Sequence, residues 1–422
     1  MSGMNFLEKL LNGVAVEWKP LGEVAEKIFS GGTPKTGIAE YWVNGAIPWM
    51  SSGEVNLETV YETEKFITEA GLKNSSAKFV PKNSLVIALA GQGKTRGKVA
   101  RLRIDLTTNQ SLASLTFDES KINSDYVYHF LKTQYENLRQ ISSGSDTRGG
   151  LNLQLISSYK LPIPPLKVQA EIVRILDTFT ELTAELTAEL TDRKKQYNYY
   201  RDRLLTFEEG EVEWKTLLDA CDYVDYRGKT PTKTLEGIFL VTAKNIRVGY
   251  IDYEASQEFI SEDDYASVMR RGLPMLGDVL ITTEAPCGFV AQVDRENIAL
   301  AQRVIKYRSK DKRLSNSFLK HYLLGSHFQN KLLKTATGST VKGIKGSKLH
   351  QLTIPIPSEA EQARIVALLD KFDTLTTSIS EGLPREIALR QKQYEYYRDL
   401  LLTFPKPEEV KTHLVTVEKS DE

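Results

Sequence analysis

The residues best placed to do chemistry lie at Ala88-Leu-Ala-Gly-Gln-Gly-Lys-Thr95, which nearly spells a phosphate-binding loop. Such a loop must open a helix, whose first amides hold the anion. Here alanine stands where the first glycine belongs, and the following Arg96-Gly-Lys-Val-Ala-Arg-Leu-Arg103 alternates like a strand. Nucleotide binding is therefore rejected. The stretch reads instead as a basic hairpin, because Lys94, Arg96, Lys98, Arg101 and Arg103 occur with no acid between Leu85 and Ile104. The second half carries a basic run, Arg303-Val-Ile-Lys-Tyr-Arg308, and a Gly/Lys loop with Lys342 and Lys345; Arg148 sits in a Gly/Ser loop of the first half. Loops bearing Lys and Arg suit phosphate contacts, while Gln, Asn and Arg can read base edges. Lys94, Arg96, Lys98, Gln110, Arg148, Arg303, Lys342 and Lys345 are the candidate DNA contacts, weighed against plain solvated loops.

Other catalytic constellations are missing. His129, His321, His327, His350 and His413 show no metal-ligand spacing, and His321 and His327 read as packing or surface residues of an amphipathic helix. No Gly-x-Ser-x-Gly elbow occurs, nor an Asn-Pro-Pro-Phe or Asp-Pro-Pro-Tyr segment of the adenine-methyltransferase kind. The chain reads as non-catalytic, with no cofactor or metal of its own. Its zero net charge excludes a uniformly basic coat but not local patches. Two cysteines, Cys221 and Cys287, make neither a disulfide framework nor a zinc site, which fits a bacterial cytoplasm. No apolar run approaches the roughly 20 residues of a membrane span, and no signal-peptide core is present.

What must position these loops is a frame written twice. Val16-Glu-Trp-Lys-Pro-Leu21 returns as Val212-Glu-Trp-Lys-Thr-Leu217. Gln169-Ala-Glu-Ile-Val-Arg-Ile-Leu-Asp-Thr-Phe179 returns as Gln362-Ala-Arg-Ile-Val-Ala-Leu-Leu-Asp-Lys-Phe372. Gln196-Tyr-Asn-Tyr-Tyr-Arg-Asp-Arg-Leu-Leu-Thr-Phe207 returns nearly unchanged, ending at Phe404. A period of about 195 residues marks a domain duplication rather than a solenoid. Between these blocks the copies share little, so one scaffold presents two recognition surfaces.

Each half reads as a mixed α/β domain, with strands near 84–90 and 278–283 and helices near 126–139 and 318–334, closed by a proline cluster. Beyond the prolines, Ile172, Ile175, Phe179, Leu182 and Leu186, and likewise Ile365, Leu368, Phe372, Leu375 and Ile379, follow heptad spacing. Tyr197, Tyr200 and Leu204, and Tyr394, Tyr397 and Leu401, resume it. Matching seams predict two long helices in an antiparallel coiled coil, with each seam packing on its own domain as the alternative. The N-terminus is then expected beside the end of the second helix, near Phe404. The tandem Thr183-Ala-Glu-Leu186 and Thr187-Ala-Glu-Leu190 acts as a stutter, Gly382 and Pro384 predict a kink, and the tail from Pro405 reads as disordered.

These blocks, together with Ser30-Gly-Gly-Thr-Pro34, Tyr41-Trp42 and Ile47-Pro-Trp49, resemble the specificity subunits of type I restriction–modification systems, the IC-like subgroup in particular, over nearly the whole chain. The resemblance implies an α+β fold of two mixed α/β target-recognition domains, 1–165 and 208–357, in pseudo-two-fold arrangement. Between them would lie an antiparallel coiled coil of spacer helices 166–207 and 358–404, with a tail, 405–422, beyond. Each domain would read half of a bipartite, asymmetric DNA site. The helices would set the spacer and dock two modification subunits through Phe179, Leu186, Leu190, Tyr197, Tyr200, Phe372, Tyr394 and Tyr397. Those partners would carry S-adenosylmethionine and flip out an adenine for N6-methylation; restriction subunits would add ATP and Mg. The second half departs from the family opening, with Asp225-Tyr-Arg-Gly-Lys-Thr-Pro231 in place of Ser-Gly-Gly-Thr-Pro, which fits two different half-sites. The competing readings are a duplicated coiled-coil adaptor joining two proteins without DNA, and a self-contained nucleotide-dependent enzyme.

Overall fold

The computed structural model describes residues 6–91, 95–141, 150–208, 210–226, 231–378 and 381–405. The chain divides into two compact units, residues 1–183 with 390–422, and residues 184–389. Among the described residues no helix is long and apolar enough to cross a membrane.

In the first unit a five-stranded sheet runs in the order Lys27–Ser30, Leu112–Thr116, Leu85–Ala88, Val99–Leu102, Thr59–Val60. A second sheet runs Lys65–Ile67, Ile47–Met50, Leu106–Thr108, Phe79–Val80, with its two central strands parallel. The second unit repeats both with one strand fewer in each among the described residues, as Cys221–Asp225, Val304–Ser309, Val279–Thr283, Cys287–Gln292 and as Phe259–Ile260, Ile238–Val241, Ile298–Leu300. Strands Ile238–Val241 and Ile298–Leu300 of that smaller sheet are again parallel. The segments between the matched blocks, which share little sequence, therefore share a topology.

Strand Val99–Leu102 is buried along its whole length. The alternation expected over 96–103 thus gives way to a strand covered on both faces, and only residues 99–102 extend. No helix opens after Thr95, whose turn enters this strand directly, so the segment lacks the form a nucleotide loop needs.

Each unit also has a two-stranded antiparallel ribbon, Glu17–Pro20 with Lys160–Ile163 and Glu213–Thr216 with Thr353–Ile356. It joins the Val-Glu-Trp block to the proline cluster. A two-stranded ribbon has only edges, which is where proline costs no ladder bond. The helices expected at 126–139 and 318–334 are each broken once, into Ser124–Thr133 and Tyr135–Ile141, and into Asn316–Leu324 and Ser326–Thr335. Asn123 and Ser315 cap the first member of each pair through the amides of Tyr126 and Phe318.

The first long helix is continuous over Leu166–Leu204, and the second forms two segments, Glu359–Thr377 and Gly382–Leu402. Gly382 has φ +73°, and a Cβ there would stand 2.4 Å from the Thr374 carbonyl oxygen, so the restart needs glycine. Pro384 falls in the first turn after it, where a missing amide breaks no helical bond. Ile172 and Leu176 are fully buried in the first unit's core, and Ile365 and Leu369 in the second's. Each such side chain contributes roughly 1.5–3 kcal/mol of burial. The first seam residues, Ile172 and Ile365, thus pack on their own domains together with Leu176 and Leu369 from outside the seam, whereas Leu368 of the expected seam is exposed.

Candidate nucleic-acid interface and the clamps that orient it

The repeated Gln-to-Phe block works as a set of clamps. Gln169 is buried, accepts from the Asn123 amide at 2.9 Å and donates to the Pro164 carbonyl at 2.7 Å. Gln362 accepts from the Ser315 amide at 2.9 Å and donates to Pro357 and Arg313 carbonyls at 2.8 and 2.6 Å. Each glutamine thus ties the start of a long helix to the cap of a domain helix. Two turns on, Asp177 and Asp370 meet the Nε2 atoms of His129 and His321 at 2.9 and 2.8 Å.

A cation completes each clamp. Arg101 donates to both Asp177 oxygens, at 2.9 and 3.1 Å, and Lys320 donates to Asp370 at 3.2 Å and to Asp373 at 3.1 Å. Burial pushes both histidines below their ordinary pKa, against the pull of the carboxylates. Burial raises Asp177, but His129 and Arg101 outweigh it and hold the group low; for Asp370 the hydrogen bond from His321 leads. His321, Asp370 and Asp373 converge closely enough to hold a metal. The Lys320 ammonium already bridges the two carboxylates, which makes this a salt-bridged cluster.

From the sequence His321 is expected as a packing or surface residue, and no role is expected for His129, Asp177 or Asp370 beyond membership of the chain's repeat. The signal was present, since His129 and His321, and Asp177 and Asp370, recur at the period of the frame. Arg101 and Arg103 also part from the basic hairpin: Arg103 pairs with Asp125 at 2.8 Å and Arg101 is engaged inside the domain. Both serve internal ion pairs.

The phosphate and base candidates fall into three groups. Lys94 and Arg148 lie outside the described residues. Arg96 lies in the hairpin turn and Lys98 just after it, both half-buried, with Lys98 Nζ donating to Asn56 at 2.7 Å. Gln110 is exposed, and its Oε1 accepts from the Thr33 hydroxyl at 2.6 Å. The Ser-Gly-Gly-Thr-Pro segment explains that placement. A Cβ on Gly31 would sit 1.9 Å from the Thr108 carbonyl oxygen, so this backbone approach requires glycine and delivers Thr33 beside Gln110. In the second unit Arg303 and Lys345 line one cavity of about 420 Å³ with Thr283, Glu284, Gln302 and Thr337. Lys342 is exposed on the same loop.

The aromatic seam residues pair within each unit. In the first, Phe179 stacks on Tyr397 at 5.3 Å between centroids, and Tyr394 is buried in the core. In the second, Tyr197 and Tyr200 stack on Phe372 at 5.8 and 5.9 Å. Each unit thus pairs the first half of one long helix with the last half of the other, the sense an antiparallel pair requires. Leu186 and Leu190 are half-buried. Trp18 Nε1 donates to the Pro405 carbonyl at 3.0 Å, and Leu7 shares a core with Phe404, so the N-terminal segment meets the end of the second helix.

Residues 14–193 and 212–389 match the type I restriction modification DNA specificity domain. The Escherichia coli EcoR124I/EcoR124II specificity subunit is 37% identical, over 97% of this chain and 100% of its own. The specificity subunit of the E. coli EcoprrI enzyme is 31% identical, over 90% and 93%. Among solved structures, the S subunit of a type I system from M. genitalium superposes with a TM-score of 0.56 at 14% identity, covering 94% of this chain and 98% of that one. A chain from a type I R-M complex gives 0.58 at 15%, covering 92% and 98%. At those identities the likeness is one of fold, whereas the sequence matches span both copies of the frame. The chain belongs to the type I restriction–modification DNA specificity family, the DNA-recognition subunits of such systems.

Proposed function

We propose that each half of the chain reads one half of a bipartite, asymmetric DNA site, and that the long helices set the spacer and dock two adenine-methyltransferase subunits. The observation that carries this is one topology bearing different side chains at matching loops. Lys94, Arg96, Lys98, Gln110 and Arg148 face DNA in the first half, and Arg303, Lys342 and Lys345 in the second. The near-neutral chain then leaves much of the salt-sensitive phosphate binding to the assembled complex. Phe179, Leu186, Leu190, Tyr197, Tyr200, Phe372, Tyr394 and Tyr397 build the helix pair that partners grip. S-adenosylmethionine belongs to the methyltransferase subunits, ATP and Mg to restriction subunits, and the assembly works in the bacterial cytoplasm.

Deleting residues 187–190 tests this reading. One Thr-Ala-Glu-Leu unit spans about 6 Å of helix and turns the remainder of the helix by roughly 40°. DNA rises about 3.4 Å and turns roughly 34° per base pair. The rotation matches one pair, and a rotational mismatch would aim a domain away from its groove. Mapping methylated adenines in a genome carrying the deletion should show the spacer shortened by one base pair, with both half-sites unchanged. An unchanged spacer or altered half-site bases would refute the ruler. A methylome indifferent to this chain would favour the adaptor without DNA.

A further inference from the structure

The two units carry one frame at the ends of neighbouring strands, and the second unit arms it with opposite charges. In the first unit the Leu89 amide donates to the Ser111 carbonyl at 2.8 Å and the Asn109 amide to the Met50 carbonyl at 3.1 Å. In the second, Thr283 donates to Arg303 at 2.8 Å and Ala301 to Val241 at 2.9 Å. These bonds make Ala90, Gln110 and Ser111 the counterparts of Glu284, Gln302 and Arg303. Glutamine holds the centre of both frames, but the neutral flanks of the first become an acid and a base in the second.

Three features single out the charged pair. Arg303 has φ +70°, a left-handed backbone that residues with side chains rarely adopt. It is held there by the Thr283 amide and hydroxyl, both donating to its carbonyl, at 2.8 and 3.3 Å. Arg303 Nε and Glu284 Oε2 lie 3.9 Å apart with about half of each side chain exposed. That is beyond hydrogen-bond distance, so charge aligns the two heads without occupying their donors and acceptors on each other. The strand end beneath them is braced, because the Ile344 amide donates to Thr283 and Thr337 and Gly343 exchange two bonds of 2.9 Å.

An acid on a DNA-facing surface repels phosphate, so Glu284 belongs there only if a base donor meets it. The major groove offers one beside an arginine target. Guanine shows the acceptors N7 and O6, and its partner cytosine shows the N4 amino donor. O6 and N4 are themselves hydrogen-bonded, and thus lie roughly 3 Å apart, close to the spacing of the two heads. We infer that Arg303 and Glu284 together read a single G·C pair of the second half-site, Arg303 donating to guanine and Glu284 accepting from cytosine N4. This rests on the DNA-reading assignment above and adds the identity of the pair.

The test is competition binding by the assembled methyltransferase complex, on duplexes that carry the genomic site or a substitution at each position of the second half-site. Arg303→Gly removes the side chain while suiting the left-handed backbone, and Glu284→Gln keeps one acceptor. Each variant, co-purified with its partners, should lose about 5- to 150-fold of discrimination at the same G·C position and none in the first half-site. Uniform weakening of every duplex, with a salt slope lower by about one, would make Arg303 a phosphate contact and overturn the pairing. Relaxation at two different positions, or at an A·T pair, would overturn it as well. Failure of the unaltered complex to prefer any bipartite duplex would instead remove the underlying reading.

Discussion

Asp177→Asn is the sharpest perturbation of the frame. Asp177 takes two bonds from Arg101 and one from His129, with the Asp177 and Arg101 side chains 21% and 10% exposed. An amide there keeps one acceptor and turns an N–H toward the guanidinium or the imidazole. Arg101 is then left with Asp125 at 3.3 Å as its near counter-charge. Breaking a well-buried charged pair costs about 3–5 kcal/mol, and partial solvent access reduces this to about 2–4 kcal/mol. Asp370→Asn should cost less, about 1–2 kcal/mol, because Asp370 is 49% exposed and Lys320 retains Asp373. Three of the four tryptophans, Trp18, Trp42 and Trp49, lie in the first unit. Urea unfolding monitored by fluorescence in a Trp214→Phe background therefore reports that unit, and hydrogen exchange on peptides around 316–324 and 359–377 reports the other. A loss below about 0.5 kcal/mol for Asp177→Asn, or a larger loss for Asp370→Asn, would refute the account of these clamps by burial and charge.

The same contacts set two further outcomes. Burial keeps His129 and His321 neutral in the fold, whereas the unfolded chain takes up their protons below about pH 6.5. Stability should stay level above neutrality and fall as pH drops through that value, by at most about 1.4 kcal/mol per histidine at pH 5.5. His321→Gln, which retains a donor for Asp370, should remove the His321 share of the pH dependence and leave the smaller share of His327, which burial also lowers, as unfolding at pH 5.5 and 7.5 will show. Gln362→Ala and Gln169→Ala should each cost about 2–4 kcal/mol by leaving buried backbone groups unpaired, Gln362 the more since it serves three. Denaturation midpoints rank them.

The duplication was legible because it is written in side chains that must be kept to do their work. A buried glutamine that satisfies a helix cap, an aspartate facing a histidine and a phenylalanine under a tyrosine have few substitutes. That the intervening domains share one scaffold was expected, but their strand-by-strand correspondence was not legible. It is carried by amide-to-carbonyl bonds such as Asn109 to Met50 and Ala301 to Val241, which any non-proline residue can donate. Charge misled for a related reason. Arg96 to Arg103 is uniformly basic along the chain, but its neutralising acids, Asp125 and Asp177, arrive from helices distant in sequence.

The same separation explains how such a chain can change what it recognises without ceasing to fold. Main-chain bonds hold the strand ends, and the clamps hold the helices, so neither depends on what stands at positions 90, 110 and 111 or at 284, 302 and 303. A neutral flank in one unit and a Glu–Arg pair in the other sit on equivalent frames, so those positions are free to vary. The clamps are not free in this way, since a one-sided change at Asp177 or Gln362 strands a buried partner. Variation is therefore expected to gather at the strand ends, while Gln169, Asp177, Gln362 and Asp370 stay fixed.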